Sequence, residues 1–417
     1  MPTERTRWRT RAVLTCALAV TGAAIAGCGG MPIPRPSASA APSAPVKSPS
    51  ASASADPPRT PAPTEASTAA ACVVQEYGRM TQAQRVGQLF LVGVSGDTAG
   101  PLTEAALRQY HFGSLLLGSN TAAGVAGVGA ATTVMQSLAT DANTGGARFF
   151  IAANQEGGQI QPLTGSGFST MPSALTQGSW SVATLRQQAK TWGGELAAAG
   201  VNLNLAPVMD VVPPGQAASN APIGQLDREF GFDPAGNGAH GVAFIQGMAQ
   251  AGVATTAKHF PGLGRVTGNT DFTSNVVDSV TTASDPYLDS FRDAIDAGVP
   301  FVMVAEATYT RIDPSSLAVF SPVIMRLLRS DLGFGGVIVS DDLGHARAVA
   351  AIPAGQRAIS FLSAGGDLVT SQTLGPAEAM ASAVLAKTAA DSSFHAVVAA
   401  AVQRVLAAKQ AYGLLPC

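Results

Sequence analysis

Short apolar runs in this 417-residue chain end repeatedly in polar residues of catalytic type. Asn154-Gln155-Glu156-Gly157-Gly158 follows one run and Met209-Asp210 follows another, while Lys258-His259 and Ser340-Asp341-Asp342 close two more. Asp227-Arg228-Glu229 lies on a loop between them. A carboxylate at a strand end can attack an electrophilic carbon, or it can cap the helix that follows. Strand alternation admits only one of Asp341 and Asp342 to a shared pocket. A buried lysine such as Lys258 lowers the pKa of a nearby carboxylate. Arg228 suits either a ligand or an ion pair with Asp227 or Asp233.

Several other chemistries are excluded. Gly262-Leu263-Gly264-Arg265-Val266-Thr267-Gly268 is glycine-rich but lacks dinucleotide-loop spacing. Gly93-Val94-Ser95-Gly96-Asp97 misses the nucleophile elbow at its last residue. His111, His240, His259, His345 and His395 lack metal-ligand spacing, so no metal is expected. The charge balance, Lys+Arg 25 against Asp+Glu 27, shows no basic excess, and nucleic acid is not an expected partner.

Residues of this kind need a frame that gathers strand ends. The predicted strands are 88–94, 114–118, 149–153, 202–208, 254–260, 301–305, 337–340 and 367–370. They alternate little, as in strands covered on both faces. Ala-rich helical patterns fall between them at 182–199, 238–251, 286–297, 321–332 and 377–389, with a closing helix over 392–409. Eight strands alternating with helices predict an α/β fold, a (β/α)8 TIM barrel forming a single catalytic domain over 72–417; a doubly wound open sheet is the rival. In a barrel, chemistry sits at the C-terminal strand ends, where the motifs fall.

With these motifs in this order, the chain resembles glycoside hydrolase family 3. The likeness is strongest to its single-domain β-N-acetylglucosaminidase branch, including exported lipoprotein members. It runs from Met80-Thr81-Gln82 to Gly413-Leu414-Leu415. The resemblance implies hydrolysis of β-linked N-acetylhexosaminides, such as cell-wall muropeptide fragments, by double displacement with retention. Asp341 corresponds to the nucleophile. Lys258 and His259 correspond to a pair that holds sugar hydroxyls, Arg228 to a substrate-contacting arginine, and Asn154 to a sugar-binding carboxylate. No cofactor is implied, and the barrel is expected to act as a monomer on a carbohydrate substrate.

The pattern breaks at the proton donor. The branch carries Lys-His-Phe-Pro-Gly-His-Gly followed by Asp-Ser-His, whose last histidine donates the proton. Here Leu263 replaces the earlier histidine, and Asp271-Phe272-Thr273 stands in place of Asp-Ser-His. A threonine hydroxyl is no general acid near neutral pH. Asn154 and Gln159 likewise replace charged residues of the branch. One expectation is that another acid takes over: Glu306, with Asp271 and His345 as alternatives. The other is a catalytically impaired barrel that binds cell-wall glycan.

The N-terminal region reads as an export signal. Arg5, Arg7, Arg9 and Arg11 precede a short apolar stretch ending in Ile25-Ala26-Gly27-Cys28. This resembles a lipobox, which implies cleavage of residues 1–27 and lipidation of Cys28 on the outer face of the cell membrane. The rest of 28–71 reads as a disordered Pro/Ser/Ala linker. Membrane contact is then expected only through the lipid. Cys72 and Cys417 remain at the two ends of the folded region. In an oxidising compartment they either pair or stay as two free thiols. A bridge would stabilise the fold by about 4–5 kcal/mol at most.

Overall fold

The computed structural model describes residues 65–94 and 100–417. The expected signal peptide 1–27, Cys28 and most of the expected linker lie outside the described residues. Eight parallel strands close into a barrel: β1 Phe90–Val94, β2 Ser114–Leu117, β3 Phe150–Ala153, β4 Leu203–Asn204, β5 Ala254–Phe260, β6 Phe301–Val304, β7 Val337–Asp342 and β8 Leu368–Ser371. Each strand pairs with its neighbours in sequence order, and β1 closes onto β8 through Phe90–Val369, Leu91–Thr370 and Val92–Ser371. All five residues of β1 are buried, as are all seven of β5. Such strands cannot alternate in polarity, because one face fills the barrel and the other meets helices.

Helix starts follow local chemistry. Ser181 accepts from the Thr184 N–H at the head of Val182–Ala198, and Asp233 with Pro234 opens Pro234–Gln250. Asp391 accepts from Ser393 and Phe394 at the start of Ser392–Ala411. The segment predicted as one helix over 321–332 divides into Pro322–Arg326 and a π-helical turn, Leu327–Asp331. The fourth strand is far shorter than the expected 202–208. Pro207 has no N–H to give, and the Asn204 side chain instead bonds both the N–H and the carbonyl of Gln155.

The domain begins earlier than the expected boundary at 72. Residues 65–71, read as linker, belong to the helix Glu65–Arg79. That helix is amphipathic, buries Cys72, Val73 and Glu76, and packs on Ser392–Ala411. Cys72 is disulfide-bonded to Cys417, 345 residues away. Among the described residues no helix is long and apolar enough to cross a membrane.

The loop after β5 makes a long excursion from the barrel. Part of it, Val277–Asp278, joins Thr308–Tyr309 and Asp313–Leu317 in a small three-stranded sheet. The Tyr309 hydroxyl donates to the Gly262 carbonyl at 2.8 Å, tying that sheet to the segment leaving β5.

Candidate active site

The C-terminal strand ends surround a cavity of about 260 Å3. Asn154, Arg228, Lys258, His259, Asp271 and Asp341 all border it. Each is held by its own local structure. After β3, Gly157 and Gly158 take positive φ values of 108° and 58°, so the chain turns back and Ile160 pairs with Gly157. Gln155 pins this turn with two hydrogen bonds to the Leu163 backbone, 2.8 and 3.1 Å long. Asn154 and Glu156 are thereby presented to the cavity.

Glu156 is the electrostatic hub. Arg228 clamps it in a two-pronged contact, Nε to Oε2 and Nη2 to Oε1, each 2.8 Å. Lys258 Nζ lies 2.6 Å from Oε1 and donates to Asn154 Oδ1 at 3.0 Å. Burial alone would raise the Glu156 carboxyl, but Arg228 and Lys258 together pull it down to about 2. Burial lowers the Lys258 ammonium, with Glu156 opposing. Arg228 therefore pairs with neither Asp227 nor Asp233. Its Nη1 also donates to the Pro222 carbonyl, so part of its fork remains for a ligand. Asp341 lies within the electrostatic reach of both cations.

His259 is oriented by Asp210. Its Nδ1 lies 2.7 Å from Asp210 Oδ2, which leaves Nε2 as the ring nitrogen available to the cavity. Asp210 also accepts from the Leu263 N–H at 2.6 Å, fixing the turn that follows β5. Gly264 is required in that turn, since a Cβ there would stand 1.9 Å from the Val211 carbonyl oxygen.

Asp341 and Asp342 both border the cavity, contrary to the alternation expected for one strand. The β7–β8 pairing shifts register between Val339 and Asp342, and this irregularity breaks the two-residue period. Asp342 Oδ1 is occupied by the N–H groups of Gly344 and Gln372. Asp341 Oδ1 accepts only its neighbour's N–H, from Asp342.

Asp271 sits on a turn at the rim. Asn269 Oδ1 accepts its N–H, and the Arg347 N–H donates to its carbonyl. Its side chain is exposed to solvent, yet crowding by the surrounding loops and the charge of Asp341 raise its carboxyl to about 6, against the opposing influence of His259 and Arg228. Thr273, at the expected donor position, is exposed and does not border the cavity, and His345 is likewise exposed and off the cavity.

Glu306 does not fit the role expected for it. It is fully buried behind the strand ends, does not border the cavity, and neither carboxyl oxygen has a hydrogen-bond partner. Burial, with Asp341, Asp342 and Asp271 nearby, pushes its carboxyl well upward. It lies in the wall together with its buried neighbours Ala305 and Ala307 at the end of β6.

Glu156 and Asp210 were missed from sequence. Both lie inside motifs singled out there, and the signal was charge balance: a buried Lys258 and Arg228 need an anionic partner, as a buried histidine needs an acceptor.

The family signature described as "Glycosyl hydrolase family 3 N terminal domain" matches residues 81–408. A protein named beta-hexosaminidase from Xanthomonas campestris pv. campestris (strain B100) is 34% identical over 235 residues, covering 52% of this chain and 66% of that one. The chain thus spans just under two thirds of that relative's length. The crystal structure of a beta-N-acetylhexosaminidase from Beutenbergia cavernae DSM 12333 superposes with a TM-score of 0.77 at 48% identity, over 79% of this chain and 98% of that one. A family 3 beta-N-acetylglucosaminidase from Paenibacillus sp. str. FPU-7 gives a TM-score of 0.71 at 26% identity, over 80% and 63%. With a matching signature across most of its length and a barrel of this form, the chain belongs to glycosyl hydrolase family 3.

Proposed function

We propose that this protein is a retaining β-N-acetylhexosaminidase in which Asp341 is the nucleophile and Asp271 the proton donor. The observation that carries the reading is that these two carboxyls share one cavity and differ in environment, Asp271 being raised to about 6. A pair of carboxyl groups with distinct roles is what double displacement at an anomeric carbon uses. Asp341 attacks that carbon while Asp271 gives its proton to the departing oxygen. Asp271, now a carboxylate, then takes a proton from water, which displaces Asp341 and restores the configuration. Lys258, His259 and Arg228 hold the hydroxyls of the bound sugar, with Asn154 reading them through an amide. The names of the Xanthomonas and Beutenbergia relatives support an N-acetylhexosamine as that sugar.

The test is trapping with a 2- or 5-fluoro sugar followed by peptide mass spectrometry. Label is expected on the peptide that contains Asp341; turnover with label on another carboxylate overturns the assignment. For the donor, Asp271→Asn should lower turnover of an unactivated disaccharide by about 10²–10⁴-fold. The loss should be much smaller for aryl glycosides of acidic phenols, which leave without a proton.

A second reading draws on the absence of histidine at position 273: a barrel that binds glycan without cutting it. No turnover even of activated aryl glycosides, with retained glycan affinity, would favour it. In either reading the lipobox-like Cys28 supports an exported protein held by lipid at the outer membrane face and acting in cell-wall turnover. Radiolabelled palmitate incorporation that is lost in Cys28→Ala checks that location.

A further inference from the structure

We propose that Phe272 is the platform on which the ring of the leaving group lies, so that the site selects glycosides whose departing portion is itself a sugar or another ring. This rests on the hydrolytic roles of Asp341 and Asp271 proposed above. Phe272 is 80% exposed yet borders the cavity. Its exposure does not come from a loosely built segment. The Asn269 carbonyl accepts the N–H groups of both Phe272 and Thr273, and the Ala348 and Arg347 N–H groups donate to Thr270 and Asp271. Leu263, Val266 and Val276 of the same excursion are all buried. Val277 and Val280 of this excursion are also exposed, but away from the cavity, whereas Phe272 is held out in water at its mouth. A lone exposed apolar side chain is ordinary on a protein surface; what sets Phe272 apart is its place on the lining of the cavity that holds Asp271 and Asp341.

The position of Phe272 in the chain fixes what it contacts. A proton donor must stand beside the glycosidic oxygen, which joins the retained sugar to the leaving group. Phe272 follows Asp271 directly and borders the same cavity, which sets it beside the proton donor on the leaving-group side. An aromatic face offers a flat apolar surface to the C–H face of a pyranose or to another ring. Pro222 and Leu226 add apolar lining to the same cavity.

The experiment compares N,N′-diacetylchitobiose with N-acetylglucosaminyl fluoride, whose leaving group has no ring. In Phe272→Ala the ratio of kcat/KM for the disaccharide to that for the fluoride should fall about tenfold. Phe272→Tyr should restore it. An equal change on both substrates, in a variant of unaltered melting temperature, overturns the platform; if Phe272→Ala does not fold, Phe272→Leu takes its place with the same expectation. Absence of turnover on both substrates by the unsubstituted protein would count against the hydrolytic reading instead. In that event calorimetry decides the platform separately. Weakened binding of chitobiose but not of N-acetylglucosamine in the variant supports it, and equal weakening of both overturns it.

Discussion

At the scale of single residues, the site is a problem of charge placement. Lys258 is a buried cation and Arg228 a largely covered one, and Glu156 makes their placement tolerable. Glu156→Gln should cost about 3–5 kcal/mol, since both cations would then be left in the wall facing an amide; urea denaturation at neutral pH measures the loss. The sign of the pH effect follows from the downward shift. A carboxyl at about 2 when folded, against an ordinary 4.5, contributes stability in full above about pH 4.5 and loses it as pH falls towards 2. That part of the acid limb should vanish in the variant. Asp271 has the opposite shift. If it must be protonated to donate, kcat/KM for an unactivated glycoside should decline as pH rises through about 6, and Asp271→Asn should lack that limb. Asn154, Lys258, His259 and Asp341 could be singled out from sequence because they follow apolar runs in a barrel pattern, whereas Arg228 and Asp271, on loops, were legible only through the family resemblance. Glu156 and Asp210 were harder to read because their partners are 72 and 49 residues away. Glu306 was misjudged for another reason: following a strand does not tell whether a side chain enters the cavity or the wall behind it.

Between elements, the contacts that sequence patterns cannot supply are polar ones in apolar places. The barrel strands were foreseeable as short, mostly apolar runs, whereas the shortness of β4 and the irregularity of β7 depend on side-chain bonds and pairing register. Lys409 is the clearest case. It lies on the helix Ser392–Ala411, is fully buried, and its Nζ reaches Gln88 Oε1 at 2.6 Å and the Gly113 carbonyl at 2.7 Å. It thus pins the closing helix to the segments entering β1 and β2. Burial lowers its ammonium to about 7 from an ordinary 10.5. The folded state therefore binds fewer protons than the unfolded chain between those values, and stability gains as pH rises from about 7 towards 10.5. Comparing urea midpoints at pH 6.5 and 9 should give a smaller rise in Lys409→Met than in the unsubstituted protein. An identical rise in both would show that this lysine does not titrate on folding.

On the scale of the whole molecule, the amphipathic helix Glu65–Arg79 and the tail beyond Ala411 complete the domain, and the Cys72–Cys417 bridge joins them. The barrel architecture was legible from the count and order of apolar runs, but the start of the domain was not. An Ala/Ser/Thr-rich stretch reads as linker until the surface that receives it is known, and here that surface is a helix more than 300 residues later. Replacing both cysteines by serine should lower stability by several kcal/mol, with about 5 as the upper range for so long a loop. Thermal melts with and without reductant measure it, and an unchanged midpoint would mean that the bridge constrains little. The covalent circuit has one further consequence. A protease that severs the backbone once, anywhere between the two cysteines, opens a hoop rather than making two pieces. The nicked protein should migrate as one species on a non-reducing gel and fall into fragments only when thiol is added.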